Sequence, residues 1–218
     1  RIIYSKIMVA YIFQRLIEEG GPTGKNVVDA RDWFRTTITR ARPQQILRGS
    51  DPQQHTIPRF KRVLRQGRYE WGRMMMFQYD PKTKNTLPYY DRFPLVFVID
   101  VNENSFLGLN MHYLPPILRA RMMDGLWDYV PLQEGQQLQE TDKLQMMQPY
   151  RILQRLRKLR WYKPCIKRYL NNQVQSRFVT IYPEEWNLAL FLPMATKTFI
   201  GASQNQVWRE SREIVRGQ

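Results

Sequence analysis

Apolar residues at the start of the chain recur every three or four positions, as they do along one face of an amphipathic helix. A Gly-Gly-Pro sequence then breaks this pattern, so we predict a helix over residues 2–18. A second helix is predicted from about Asn26 to about Arg40, and Pro43 ends it. Residues 44–58 are polar and contain two prolines, which is typical of a loop.

The hydrophobic period changes to two in the middle of the chain, which is the spacing of β-strands. Residues 73–79 and 94–101 are predicted strands, and residues 106–114 are the predicted hairpin partner of the second. Alternate side chains of that partner fall on two faces. One face is apolar and suits a core, whereas the other is more polar and includes Asn110 and His112.

Two consecutive prolines end this predicted hairpin. Residues 117–127 then have the spacing of a helix that turns Leu118, Met122 and Leu126 inward. Three or four strands and one helix predict a small antiparallel sheet or an SH3-like barrel in the middle of the chain.

The last third of the chain begins a new pattern. Ile152, Leu156 and Leu159 form an apolar stripe surrounded by basic residues, which predicts a basic amphipathic helix. Residues 178–182 are strand-like, and residues 183–186 resemble a helix start with acidic residues in its first turn. The predicted fold class is therefore α+β, with the β unit between basic helical segments.

These patterns divide the 218 residues into four segments. The length suits one ordinary domain or two small ones. The segments are a basic helical N-terminal arm over residues 1–71, a central β unit with its helix over 72–130, a Gln-rich loop over 131–150, and a basic helical C-terminal segment that packs on the core over 151–218.

Charge is unevenly distributed along the chain. The 34 Lys and Arg residues outnumber the 19 Asp and Glu residues, which leaves a net charge of +15. The net charge is +8 over residues 1–71, −2 over 72–150 and +9 over 151–218, and no acidic residue lies between Asp142 and Glu184. Such a surplus indicates a polyanionic partner, because a stretch of one sign repels itself unless something negative lies against it.

Two basic clusters are the candidate binding sites for a polyanion or a protein partner. Aromatic residues lie among them, including Trp161 and Tyr162, which suits contact with backbone phosphates and occasional stacking. Arginine pairs with carboxylates as well as with phosphates, so acidic protein subunits are an equally physical partner, and a basic helix face is often merely solvated. The clusters consist of Arg59, Lys61, Arg62, Arg65 and Arg68, and of Arg151, Arg155, Arg157, Lys158, Arg160, Lys163, Lys167 and Arg168.

Residues with catalytic or metal-binding chemistry are few. Two histidines and one cysteine are too few for a zinc site of the usual ligands, and no Gly-rich phosphate-binding loop is present. Cys165 is expected to be a small buried residue without a disulfide. No apolar run approaches the roughly 18 residues that span a bilayer. We therefore expect no cofactor, no metal, no membrane contact and no small-molecule substrate.

A metal-dependent nuclease is the remote alternative. Asp80, Asp91, Asp100 and Glu103 lie around the predicted sheet, and carboxylates gather divalent metals in such enzymes. Each of these residues also fits a turn or a strand end. His112 is a candidate general base, but no partner can be assigned to it, and a satisfied histidine within the sheet is favoured. We therefore expect a protein that is not an enzyme.

Several segments resemble a known protein family. The segments are YDPKTK (79–84), LPYYDRFPLV (87–96) and GLNMHYLP (108–115) in the middle, and YKPC (162–165), KRYL (167–170), SRF (176–178) and EWNLALFLP (185–193) near the end. With these segments the chain resembles virion structural proteins of contractile-tailed bacteriophages of the marine and cyanobacterial myovirus type. Members of that family are labelled as tail components, baseplate components or DNA end protectors.

The resemblance implies a non-enzymatic part of a phage particle, in the tail, baseplate or neck. Such a part would bind other virion proteins in a symmetric assembly through its Arg-rich arms. The alternative is a head or neck protein that binds double-stranded DNA and protects or plugs the genome ends. In both cases we expect the protein in the virion, assembled in the cytoplasm of the host bacterium.

Overall fold

The computed structural model describes residues 12–21, 24–41, 72–127, 151–181, 183–193 and 198–217. Its α-helices are α1 Ile12–Gly20, α2 Lys25–Ala41, α3 Pro116–Trp127, α4 over residues 151–156, α5 Trp186–Ala189 and α6 Gln204–Arg216. Its strands are β1 Met74–Met76, β2 Tyr90–Asp91, β3 Leu95–Val101, β4 Ser105–Asn110, β5 Ile166–Leu170, β6 Val179–Ile181 and β7 Phe199–Ile200. Short 3-10 helices cover Met111–Tyr113, Lys163–Cys165, Asn171–Gln173 and Pro183–Glu185. The α+β class is confirmed.

A five-stranded antiparallel sheet is the centre of the fold, in the strand order β5-β4-β3-β1-β6. Strands β2 and β7 form a separate two-stranded ladder. Within the described residues the large sheet stays open, with β5 and β6 at its edges. Of the two architectures that the sequence allowed, the structure therefore shows the antiparallel sheet and not the SH3-like barrel.

Strand β3 is apolar at nearly every position because both faces of the sheet are covered. One face packs against the helices, where Phe97 meets Trp186 of α5 at a ring-centroid distance of 5.4 Å. The opposite face carries a second, aromatic core. Its members are Met75, Phe77, Tyr79, Val96, Val98, Phe106, Tyr169 and Val174.

The predicted helices in the first two thirds of the chain are confirmed where the structure describes them. Helix α1 ends at Gly20, as the glycines predict. Its first turn is capped from another helix, because the Asp124 carboxylate of α3 accepts hydrogen bonds from the backbone N–H groups of Phe13 (2.7 Å) and Gln14 (3.0 Å). This cap joins α1 to α3 across 111 residues of sequence.

The predicted strand over residues 106–114 is shorter than expected. It ends at Asn110, and Met111–Tyr113 form a 3-10 helix in which the Asn110 side chain accepts a hydrogen bond from the backbone N–H of His112. Its more polar face is also buried, because Asn110 and His112 find hydrogen-bond partners inside the protein. Successive side chains of this strand therefore point to opposite faces of the sheet, and both faces are buried.

The predicted apolar stripe of the basic helix is confirmed for Ile152 and Leu156, which pack partly buried against the core, and wrong for Leu159. Helix α4 ends at residue 156 and a turn follows, so Leu159 leaves the helical face and is 49% exposed. Leu153 is the buried residue instead.

The last third contributes two strands to the large sheet: β6 confirms the strand predicted over residues 178–182, whereas β5 lies in a segment that was predicted to be helical. Charged residues interrupt the apolar alternation of β5, yet its backbone pairs with β4, placing Arg168 opposite Leu107. An edge strand tolerates this because backbone hydrogen bonds pair it with its neighbour and Tyr169 still packs into the aromatic core.

Some predicted elements lie outside the described residues. They are the start of the first helix, the loop over residues 44–58, the basic cluster from Arg59 to Arg68 and the Gln-rich loop over 131–150. The four-segment division of the chain stays a prediction.

Gly108 is expected to be essential to the packing between strands. A Cβ atom at this position would lie 2.9 Å from the Val96 Cβ and 3.2 Å from the ring of Tyr169. We predict that Gly108→Ala lowers the free energy of unfolding by about 1–3 kcal/mol, measured by chemical denaturation.

Gly125→Ala is the matched control for this prediction. A Cβ atom at Gly125, on the exposed side of α3, would meet nothing within 4 Å. Because alanine favours helix, this variant should be up to about 1 kcal/mol more stable than the original. Equal stability of the two variants would contradict the proposed packing at Gly108.

Candidate nucleic-acid interface

The second basic cluster forms one continuous surface segment, and we call residues 151–168 the basic strip. The strip runs through α4, the turn over residues 157–162, the 3-10 helix Lys163–Cys165 and the first residues of β5. It therefore begins on a helix that packs against the core and ends at the edge of the large sheet.

Buried side chains anchor the basic strip to the protein. Leu153, Tyr162 and Cys165 all reach the core on the helical side of the sheet. Gln154 adds a polar anchor, because its side-chain amide donates a hydrogen bond of 2.6 Å to the carbonyl of Ile99 in β3. Burial raises the pKa of the Cys165 thiol to about 12, so this residue stays protonated and serves as packing. These anchors confirm the prediction of a buried cysteine.

Most cations of the strip face solvent. Arg157 forms a half-exposed ion pair with Asp100 at 3.8 Å, and such pairs contribute little energy. Within the described residues, no other cation of the strip has a carboxylate within 4 Å. The exposed members are Arg151, Arg155, Arg157, Lys158, Arg160, Lys163 and Arg168. The strip is therefore a strongly positive surface held by a fixed scaffold.

Lys167 is the member of the predicted cluster that does not face outward. Its ammonium lies 4.3 Å from the centroid of the Tyr113 ring, which is a cation–π contact. Burial lowers the pKa of Lys167. We therefore assign Lys167 to the attachment of β5 and leave the remaining cations of the strip as the candidate contact residues.

The two aromatic residues of the strip have different environments. Tyr162 is buried, and burial raises the pKa of its hydroxyl. Trp161 is 48% exposed, and the guanidinium of Arg160 lies 5.5 Å from its ring centroid. Only Trp161 is thus available for stacking, a distinction that the sequence could not make.

A buried polar network behind the strip positions these elements. The Asp91 carboxylate accepts hydrogen bonds from the Phe93 backbone N–H (2.9 Å), the Asn110 side chain (2.8 Å) and the His112 ring (2.8 Å). Asn110 also donates to the hydroxyl of Tyr169 in β5, at 2.9 Å. The network therefore joins the strand that ends the strip to the interior of the protein.

His112 has the carboxylate partner that the sequence could not assign. Because an ionised carboxylate can only accept, its contact with Asp91 places a proton on the Nδ1 atom of His112. The ring is fully buried, and the backbone carbonyl of His112 accepts a 2.9 Å hydrogen bond from Trp208 in α6. A ring enclosed in this way holds elements together and has no access to a macromolecular substrate.

Arg119 provides a buried positive charge beside this network. Its side chain donates to the carbonyls of Leu114 (2.8 Å) and Leu190 (3.3 Å) and lies 5.6 Å from the Trp208 ring centroid. Burial lowers the pKa of Arg119 to about 9, while the nearby Asp91 acts in the opposite direction. Arg119 is therefore charged at neutral pH and offsets the buried carboxylate.

The carboxylates considered for a metal site lie in separate environments. Asp91 is buried in the network, Asp80 pairs with Lys84 at 2.9 Å on the surface, and Asp100 pairs with Arg157. Within the described ranges, no group of three His, Cys, Asp or Glu residues is placed to hold a metal. The carboxylate cluster that the nuclease alternative requires is not assembled there.

Helix α6 carries a second basic face, which was not among the predicted basic clusters. Arg209, Arg212 and Arg216 are exposed at helical spacing, which is the signal that could have indicated them. Arg209 lies 4.0 Å from Glu213, so this face is partly neutralised. The first basic cluster, from Arg59 to Arg68, lies outside the described residues, and its role stays a prediction.

Comparison with known proteins identifies the family. A family model described as phage T4 terminal DNA protecting protein matches residues 15–211, which include the sheet, the basic strip and the first eight residues of α6. The chain belongs to the phage T4 terminal DNA protecting protein family. Neither a search of curated proteins nor a search of solved structures found a match.

Membership in the phage T4 terminal DNA protecting protein family confirms the predicted resemblance to a phage DNA end protector. It favours the alternative reading of the sequence, DNA-end protection, over a tail or baseplate component. It also associates the chain with the phage virion. Binding to neighbouring virion subunits stays a prediction. None of the helices in the described part of the chain has the length and apolar character needed to cross a membrane.

The network around Asp91 yields a stability prediction. Asp91→Asn keeps the shape of the side chain but replaces an ionic acceptor of three hydrogen bonds with an amide that brings its own donors. We expect the free energy of unfolding to fall by about 2–4 kcal/mol, measured by denaturant titration.

Asp80→Asn is the matched control, because Asp80 makes a surface ion pair with Lys84. The same chemical change there should cost less than about 1 kcal/mol. If both variants lost equal stability, the network would not have the structural role assigned to it.

Proposed function

We propose that this protein binds the ends of double-stranded phage DNA and shields them, with the basic strip on the DNA phosphates. The observation that carries the proposal is the strip itself, with seven exposed cations and no acidic residue over residues 151–168. The name of the family, phage T4 terminal DNA protecting protein, supports DNA ends as the target.

The arginines and lysines of the strip are the residue types that bind DNA phosphates. Cations that neutralise phosphates release counterions from DNA, and this release drives binding without reading the base sequence. Arginine adds paired hydrogen bonds to phosphate oxygens that a lysine cannot form. The buried anchors Leu153 and Tyr162 hold the cations together before DNA arrives, so less ordering is needed on binding.

We propose further that protection works by occupancy and not by catalysis. A bound protein denies a nuclease access to the terminal nucleotides, and this requires no bond to be made or broken. The described residues support such a role, because His112 and Cys165 are buried and the carboxylates Asp80, Asp91 and Asp100 occupy separate environments.

Removing charge from the strip is expected to weaken DNA binding. The triple variant Arg155→Gln, Lys158→Gln, Lys163→Gln should lose affinity for a random-sequence duplex, measured by fluorescence anisotropy between about 50 and 200 mM salt. If about six phosphates are neutralised, the slope of log K against log salt for the original protein is near −5, and three lost contacts reduce its magnitude by about 3.

The control variant carries the same change in net charge on α6. Arg209→Gln, Arg212→Gln, Arg216→Gln removes three exposed arginines from a face that Glu213 partly neutralises. It should bind DNA with nearly the original salt slope. An equal loss of DNA affinity in both triple variants would show that total charge, and not the strip, governs binding. Failure of the original protein to bind at about 50 mM salt would overturn the proposal.

Protection without cleavage is the second expected behaviour. The protein should slow the digestion of linear duplex DNA by an added exonuclease, and by itself it should leave the DNA intact in Mg²⁺, as followed on gels. The triple strip variant should protect less well. Cleavage by the protein alone that Asp80→Ala or Asp100→Ala abolishes would overturn the non-enzymatic proposal.

A further inference from the structure

Trp161 is an unusual residue on the surface of the basic strip. Among the tryptophans that the structure describes, it alone is classed as exposed, with 48% of its surface accessible, and the neighbouring Leu159 is 49% exposed. An indole combines a large apolar ring with a polar N–H group, so its exposure inside a band of cations makes it available to a partner that binds the strip.

The backbone around Trp161 is held by its surroundings. The flanking turn is closed by backbone hydrogen bonds, from the Tyr162 N–H to the Leu159 carbonyl (3.1 Å) and from the Cys165 N–H to the Tyr162 carbonyl (3.0 Å). The buried Tyr162 follows directly and fixes the turn to the core. The guanidinium of Arg160 lies 5.5 Å from the centroid of the indole, and 48% of the Trp161 surface is exposed.

An exposed indole recognises a flat π surface, and DNA offers such a surface only at particular places. Inside a duplex each base pair is covered on both sides by its neighbours. At a duplex end, the terminal base pair exposes one face. Stacking on bases tolerates any sequence, because every base has a π face. A strip that holds phosphates beside an indole is therefore complementary to an end and only partly complementary to continuous duplex.

We propose that Trp161 stacks on the exposed face of the terminal base pair and so makes the interface selective for DNA ends over internal duplex. The inference rests on the proposed binding of DNA by the strip. It adds a separate source of selectivity, because the phosphate contacts are the same along the whole duplex, whereas the stacking contact exists only at its terminus.

The test compares the same plasmid as a closed circle and as a blunt-ended linear molecule. Each competes with a short labelled duplex for the original protein, Trp161→Ala, Trp161→Phe and Leu159→Ala. The original protein should prefer the ends, and Trp161→Ala should lose about tenfold or more in affinity for ends while it binds the circle with an unchanged salt slope. Trp161→Phe, which keeps an aromatic ring, should retain part of the preference.

The possible results separate this inference from the proposed function. Unchanged end preference in Trp161→Ala, or an equal loss in Leu159→Ala, would overturn the stacking role while DNA binding by the strip stands. A preference for single-stranded DNA over blunt ends would overturn the terminal base pair as the target. Absence of salt-dependent binding to either plasmid form would instead overturn the proposed function.

Fluorescence gives a readout that does not depend on affinity. Stacked bases quench indole emission, so blunt-ended duplex should quench the original protein more than Trp161→Phe at saturating DNA. Equal quenching in the two proteins would contradict the stacking contact. A thermal melt of each variant shows whether it is folded, and because Trp161 is half exposed we expect melting temperatures close to the original.

Discussion

The carboxylate of Asp91 is a buried charge that accepts hydrogen bonds from three donors. A buried carboxylate without partners would be very costly, so the surrounding elements must meet where those donors lie. Through Asn110 the network reaches Tyr169 in β5, and through His112 it reaches Trp208 in α6. The elements that carry both exposed basic faces are therefore attached to one interior group.

This attachment separates two kinds of charge in the protein. Inside, Asp91 and the buried Arg119 offset each other and stabilise one arrangement of the elements. Outside, the strip concentrates cations that repel one another and that Leu153 and Tyr162 hold in place. In the described part of the chain β5 is an edge strand, and its exposed Arg168 disfavours pairing with other chains, since charged edge strands pair poorly. A partner with regularly spaced negative charge, such as the proposed DNA backbone, would relieve the repulsion.

Local pattern was sufficient for some elements and insufficient for others. Helices α2 and α3 lie next to prolines that bound them, and strand β3 is one continuous apolar run, so neighbouring residues alone predicted these elements. Strand β5 forms because it pairs with β4, which lies about sixty residues earlier in the chain. The charged sequence of β5 does not by itself predict a strand. The pairing of Asp91 with His112 was missed for a similar reason. Their contact crosses 21 residues and requires the β2 and β4 ends to meet.

The amino-acid sequence by itself determined that charge gathers near the chain ends, that no acid interrupts residues 151–168, and that aromatic residues lie among the cations. These are properties of composition and order, and folding does not alter them. Only the tertiary structure decided which side chains face outward. Because helix α4 gives way to a turn and then to an edge strand, Lys167 and Tyr162 point to the interior while Trp161 remains in solvent. The orientation of these side chains is set by contacts between distant elements, so local periodicity cannot predict it.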